Sequence, residues 1–133
     1  MVVDDPHNPS FIESEIIRKS TLEWFDKIFS TRLDDKKKGV FVIVMQRLHR
    51  NDLTGHLLSR GGWESLVIPA IAEKNTFIKF NDVCIERRAG NLLHEDREGV
   101  EEINRARIDL GTSAFLSQYQ QLPVICEENP IKK

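Results

Sequence analysis

The amino-acid sequence predicts an α/β fold, with a parallel sheet and flanking helices followed by a small segment of one hairpin plus helices. Three observations predict it. Val40-Phe-Val-Ile-Val-Met45 is apolar on both faces, the pattern of a strand at the centre of a parallel sheet covered by helices on each side. Trp63–Pro69 reads as another strand beyond a short helix, and strand–helix–strand order favours a right-handed parallel crossover. Further along, Phe77–Phe80 and Val83–Glu86 flank Asn81-Asp82, a pair that tolerates the left-handed backbone of a tight hairpin turn.

Taken in order, Met1–Asp4 reads as the end of a strand, where apolar residues run straight into an acidic pair and Pro6. That abruptness leads us to expect a chain that begins part-way through a fold. Ser10-Phe-Ile-Glu13 fits a capping box, in which hydroxyl and carboxylate each satisfy an orphan backbone donor. Ile12, Ile16, Ile17, Trp24, Phe25, Ile28 and Phe29 then recur at helical spacing with one broad apolar face. Leu33–Gly39, with its lysine run, reads as a solvated turn. Asn51 or Asp52 can cap a short helix through Leu53, Leu57 and Leu58, which Gly61-Gly62 stops. After Gly90, a helix carries Val100, Ile103, Ala106 and Leu110, and Gly111 ends it. Thr112 is placed to cap a second helix through Phe115, Leu116 and Tyr119 up to Pro123. The division expected is an α/β part at 1–72, a hairpin-and-helix part at 73–124 and an unstructured tail at 125–133.

Bulk properties exclude several classes. At 133 residues the chain has the size of one ordinary domain, and 40% hydrophobic with 30% charged content is globular. A net charge of −2 exerts no overall pull on nucleic acid, so any DNA contact needs a local basic patch. The longest apolar run, Val40–Met45, is far short of the roughly 20 residues that span a bilayer. The start of the chain lacks the pattern of a secretory signal. Cys84 and Cys126 stand apart without a CxxC pair, which suits reduced thiols in a cytoplasmic protein, without a disulfide framework or zinc site.

The constellation that carries chemistry is a strand ending in two acids, Val2-Val3-Asp4-Asp5, and a second buried strand ending in Gln46-Arg47-Leu48-His49. In P-loop NTPases the carboxyl ends of adjacent parallel strands converge on the nucleotide. An acid at the first strand end holds Mg²⁺ there, and the acid after it polarises the attacking water. A polar residue at the neighbouring strand tip senses the γ-phosphate. A strand-end acid pair also suits a simple turn or helix cap.

The larger words of the sequence extend the pattern. VVDDPHNPS, TLEWFDKIFSTRL, FVIVMQRLHRNDLTGHLL and GGWESLVIPAIAE follow one another, and RRAGNLLHEDREGVEEI and LGTSAFLSQYQQLP come after them. In this order, across residues 2–124, they resemble the phage terminase large subunits from their Walker B strand to the hinge before their nuclease domain. The resemblance implies a partial P-loop-NTPase-like sheet at 1–72 and a hinge subdomain at 73–124. It implies a family activity of ATP-driven pumping of double-stranded viral DNA into a procapsid, with ATP and Mg²⁺ as cofactors. The portal protein and terminase small subunit are its partners, in the cytoplasm of a bacterial host, with no membrane. By position, Asp4 resembles the Mg²⁺-ligating acid, and Asp5 the water-polarising one, where many such ATPases place a Glu. Gln46 resembles the strand tip of the coupling motif, with Arg47 and His49 beside it, and Asp52 the acid of an R-x-H-x-x-D-L pattern.

Each assignment has a plainer rival. Asp52 also suits a helix cap, and Arg47 a local ion pair. His49, Asp52 and His56 can be drawn as a metal set, although Asp52 and His56, four apart on one helix face, are the spacing of ordinary surface neighbours. Trp24 and Trp63 read as core residues, and Ser59 and Ser65 lack a His–Asp pattern. The chain contains no GxxxxGK[ST], so it lacks the backbone cradle and lysine that hold phosphates. The expectation is therefore a terminase fragment, a prophage remnant or one piece of a split gene, inactive alone. The alternative is a stand-alone interaction module that docks onto a packaging motor or portal through Arg87-Arg88 and Lys36–Lys38. A third reading is an unrelated small α/β binding domain.

Overall fold

The computed structural model describes residues 1–124, so the tail expected at 125–133, with Cys126, lies outside the described residues. The fold is mixed α/β, and the chain divides into two compact units, one built on Met1–Glu64 and the other on Ser65–Leu122.

In the first unit β1 (Val2–Asp4) runs into α1 (Glu15–Lys27) and returns as β2 (Val42–Val44), which lies parallel to β1. Val2 pairs with Val42, Val3 with Ile43 and Asp4 with Val44. The parallel crossover is thus made by α1. The strand expected at Trp63–Pro69 does not form. Two left-handed glycines, Gly61 (φ 80°) and Gly62 (φ 83°), turn the chain out of α2 (Leu53–Arg60), and only glycine adopts that backbone cheaply. Trp63 is then fixed by its ring against Phe25, at 6.1 Å between centroids, rather than by a strand ladder.

The strand signal at Val40–Met45 contracts to Val42–Val44, and the expected burial on both faces is not seen. Val3 and Ile43 face inward, whereas Val42 is 46% and Val44 55% exposed, because among the described residues no helix covers the outer face. The inner face packs on a core of Phe25, Leu53 and Leu57, joined by Leu22, Phe29, Ile43, Met45 and Trp63. Each such fully buried side chain contributes about 1.5–3 kcal/mol. Phe25, Phe29 and Phe41 add ring contacts at 5.4–6.1 Å. Trp24, expected in the core, is 39% exposed and rests on Phe29.

The helix predicted after Ser10 starts four residues later than the capping-box reading requires. Asn8 captures the Ser10 N–H at 2.9 Å and opens a single 3-10 turn, Pro9–Phe11, with proline at a position that needs no donor. Ser14 then caps α1 by accepting from Ile17 N–H. The helix α2 behaves as predicted, with Asp52 as its cap and Gly61 as its stop.

In the second unit β3 (Thr76–Phe80) and β4 (Val83–Arg87) form the predicted hairpin, with Phe80 opposite Val83 and Asn81 at φ 51°. A bridge pairs Ile71 with Leu92, and the Gln120 amide holds Ile71 N–H and C=O, both at 2.9 Å. Arg87, read as an outward basic contact, is buried and donates to Pro69 O at 2.8 Å and Asn91 O at 3.3 Å, whereas Arg88 is exposed. The helices α3 (Val100–Leu110) and α4 (Thr112–Gln118) follow, separated by Gly111 at φ 78°. Gly111, not Thr112, occupies the cap of α4. Ile103 and Phe115 are buried here, Phe115 stacks on Tyr119 at 5.1 Å, and Arg107 lies 4.7 Å over the Phe115 ring. The Tyr119 hydroxyl donates to Glu98 at 2.9 Å, which with burial holds the phenol above its ordinary pKa. No helix among the described residues is long and apolar enough to cross a membrane.

Candidate functional site

The parallel register brings both strand ends to one end of the small sheet. Asp4 lies opposite Val44, and the Asp5 N–H donates to Val44 O at 2.9 Å, closing the ladder. Asp5 itself sits at φ 45°, a left-handed backbone that Asp tolerates better than most residues. Asp4 and Asp5 are both solvent-exposed, and Gln46 and Arg47 follow Val44 by two and three residues on the neighbouring strand. The register thus brings Asp4 beside Val44, Gln46 follows Val44 by two residues, and the Arg47 side chain is engaged by Asp52 and Arg50.

Asp52 lies further along the chain, at the N-cap of α2. It is fully buried, at 0% exposure. Its side chain caps α2 through Gly55 N–H at 3.0 Å, which is the plainer of its two sequence readings. It also accepts from Leu48 N–H at 3.0 Å, from His49 N–H at 3.3 Å, and from Arg47 Nε at 3.1 Å to each oxygen. A buried carboxylate survives only when its lone pairs are met this way. Arg47 is accordingly in a local ion pair with Asp52, and its Nη2 reaches Arg50 O at 3.5 Å. His49 Nδ1 accepts from Asn51 N–H at 2.9 Å.

A residue that sequence reading passed over completes this arrangement. His7, 6% exposed, accepts the Leu53 N–H on Nε2 at 2.9 Å, so the ring is neutral with its proton on Nδ1. Burial is the largest influence lowering its pKa; the Asp52 carboxylate opposes this, and Arg18 and His49 lower it further. Leu53 directly follows Asp52. The loop after β1 and the loop after β2 therefore both grip the first turn of α2, one through His7 and the other through Asp52. The only sequence signal was a histidine two residues beyond the acidic pair; its partner lies 46 positions away.

The metal set drawn from His49, Asp52 and His56 does not assemble. Asp52 is saturated by N–H donors, and His56 turns to Asp26 at 2.8 Å, where Arg60 also pairs with the same carboxylate. Partial burial pushes the Asp26 carboxyl up, but the hydrogen bonds from His56 and Arg60 outweigh it and hold the pKa below its ordinary value. Among the described residues no group of three or more His, Cys, Asp or Glu is placed to hold a metal ion. Mg²⁺ asks for less: one or two carboxylates, with waters and phosphates completing the octahedron. An exposed Asp4 at a parallel strand end fits that requirement, and the phosphate cradle is not among these residues. Comparison with protein-family models, with curated proteins and with solved structures found no match for this chain.

Proposed function

We propose that this chain belongs to a phage terminase large subunit and supplies the strand-end acids and polar strand tip of its ATP site. The observation that supports the reading is the parallel pairing of Val2–Asp4 with Val42–Val44, in which Asp4 lies opposite Val44, two residues before Gln46. The QRLHRNDL and neighbouring words of the sequence support it. In this reading Asp4 ligates Mg²⁺, Asp5 polarises the attacking water, and Gln46 senses the γ-phosphate with Arg47 and His49 beside it. The metal, when bound, neutralises charge on the phosphates. The intact protein acts on double-stranded viral DNA with a portal protein and a small subunit. The 133 residues alone, without GxxxxGK[ST], do not turn over ATP.

The test exchanges residues 2–124 for the corresponding stretch of an intact terminase large subunit that brings its own P-loop. Mg²⁺-dependent ATP hydrolysis is expected, falling about 100-fold or more in Asp4→Asn. A folded chimera that hydrolyses no ATP would overturn the assignment, and turnover by the 133-residue chain alone would refute its inactivity.

A second reading, an interaction module that docks onto a packaging motor or portal, is favoured by exposed apolar surface. Val2, Val42 and Val44 are 66%, 46% and 55% exposed on the outer sheet face, and Phe80 at the hairpin tip is 73% exposed. Co-purification with intact terminase or portal protein supports it, and elution without either counts against it.

A further inference from the structure

We infer that Asp52 is a positioning residue that, together with His7, fixes the Gln46–His49 strand tip relative to the Asp4-Asp5 strand end. The inference deepens the nucleotide-site reading and rests on it for its catalytic meaning. The contacts that carry it go well beyond capping. An N-cap needs one acceptor for one or two N–H groups at the start of its own helix. Asp52 provides that to Gly55, and in addition takes the Arg47 guanidinium and two backbone N–H groups from Leu48 and His49, upstream of the helix. These hold the backbone of the strand-tip residues that follow Gln46.

His7 makes the matching attachment from the other strand. Its Nε2 takes the Leu53 N–H, which a serine or aspartate cap leaves to solvent or another acceptor, and it stands two residues beyond Asp5. The first turn of α2 is thus a common anchor for both strand ends. Phosphoryl transfer depends on positioning more than on covalent chemistry, and displacement of a supporting group by an ångström is costly. Asp52 touches neither phosphate nor water in this account. It acts through Arg47 and the loop backbone.

Asp52→Ser separates capping from positioning, because serine caps as well as aspartate but is too short to reach the Arg47 guanidinium and both loop N–H groups. Amide hydrogen exchange is measured on the 133-residue chain without nucleotide. The expected result is retained protection at Gly55 with protection at Leu48 and His49 reduced about 10-fold or more, and His7→Phe exposing Leu53 while His7→Gln, which keeps an acceptor, restores it. Unchanged protection at Leu48 and His49 in Asp52→Ser would overturn the inference and leave Asp52 a cap only. If Asp52→Ser unfolds the chain, Asp52→Asn, which keeps one carbonyl acceptor for the cap, is read at the same amides with the same two outcomes. In the active chimera, Asp52→Ser lowers kcat about 10- to 100-fold with KM for Mg-ATP unchanged, the size seen when groups supporting a metal site are removed. An equal rise in KM with no change in kcat would contradict positioning. Should the parent chimera show no turnover, the nucleotide reading fails, and the amide result still decides whether Asp52 holds the strand tip.

Discussion

Replacing Gly55 by alanine probes the α2 anchor where the Arg47–Arg50 loop approaches the helix. Gly55 is the third residue of α2, and in an unobstructed helix alanine there adds about 1 kcal/mol. Here the new Cβ would overlap the backbone oxygen of Arg50 and stand 3.1 Å from its carbonyl carbon and 3.2 Å from Arg47 Nη2. The obstruction is backbone, so no rotamer change relieves it. Clearing it requires the Leu48–Arg50 loop to retreat, which breaks the two N–H bonds that Leu48 and His49 donate to the Asp52 carboxylate. Hydrogen bonds to a charged acceptor contribute about 1.5 kcal/mol each at the low end, so about 3 kcal/mol is lost against about 1 gained. The net expectation is about 2 kcal/mol of destabilisation. For a cooperative unit of this size that lowers Tm by roughly 8 °C or more. Thermal and urea unfolding followed by circular dichroism measure it directly. A Gly55→Ala chain that melts at or above the parent would refute the close approach and with it the anchoring of the loop.

Other perturbations have defined outcomes. His7 has a folded pKa below its ordinary 6.5, so the unfolded chain takes up a proton first as pH falls. The associated stability is present above about 6.5 and is lost as pH drops from there through the folded pKa, and urea midpoints at pH 7.5 and 5.5 should show that decline shrinking in His7→Gln. Asp26→Asn removes the carboxylate shared by His56 and Arg60; with Asp26 33% and Arg60 54% exposed, the cluster contributes less than about 1 kcal/mol, and a double-mutant cycle with Arg60→Ala in low and high salt measures it. Its stability, where present, lies above pH 3.8 and is lost as pH falls below that value, because the folded pKa is depressed. Phe25→Ala, at the centre of the first unit's core, costs about 3–5 kcal/mol by urea titration.

Local chemistry was legible in the sequence where it was decisive. Asn81-Asp82 named the hairpin turn, Asp52 and Gly61-Gly62 bounded α2, and the apolar spacing of Val100–Leu110 marked α3. What failed depended on competition or distance. Ser10 looked like a helix start because a capping box is a local pattern, yet Asn8 claimed its N–H and left the cap to Ser14. Trp63–Pro69 looked like a strand because apolar runs suit strands and irregular segments alike, yet Leu66 and Val67 are exposed and Trp63 is held by its ring against Phe25. Val40–Met45 read as buried on both faces, since periodicity reports which residues are apolar and not which face is covered. At the site, the acid pair and the polar tip were visible as words, whereas His7 and the Asp26–His56–Arg60 cluster depend on partners 46 and 30 residues away. Asp52 was visible as a cap, but its grip on the upstream loop was not, because it depends on how the β2 tip folds back over α2.

The central claim, that these strand ends are one half of a packaging ATPase site, is tested most directly by sequencing the DNA on both sides of this reading frame. The account predicts a GxxxxGK[ST] encoded upstream of Val2 and acidic residues of an RNase H-like nuclease encoded downstream of the LGTSAFLSQYQQLP segment. Flanks that encode neither, with an expressed product whose intact mass is the 15.4 kDa of this chain, would contradict it.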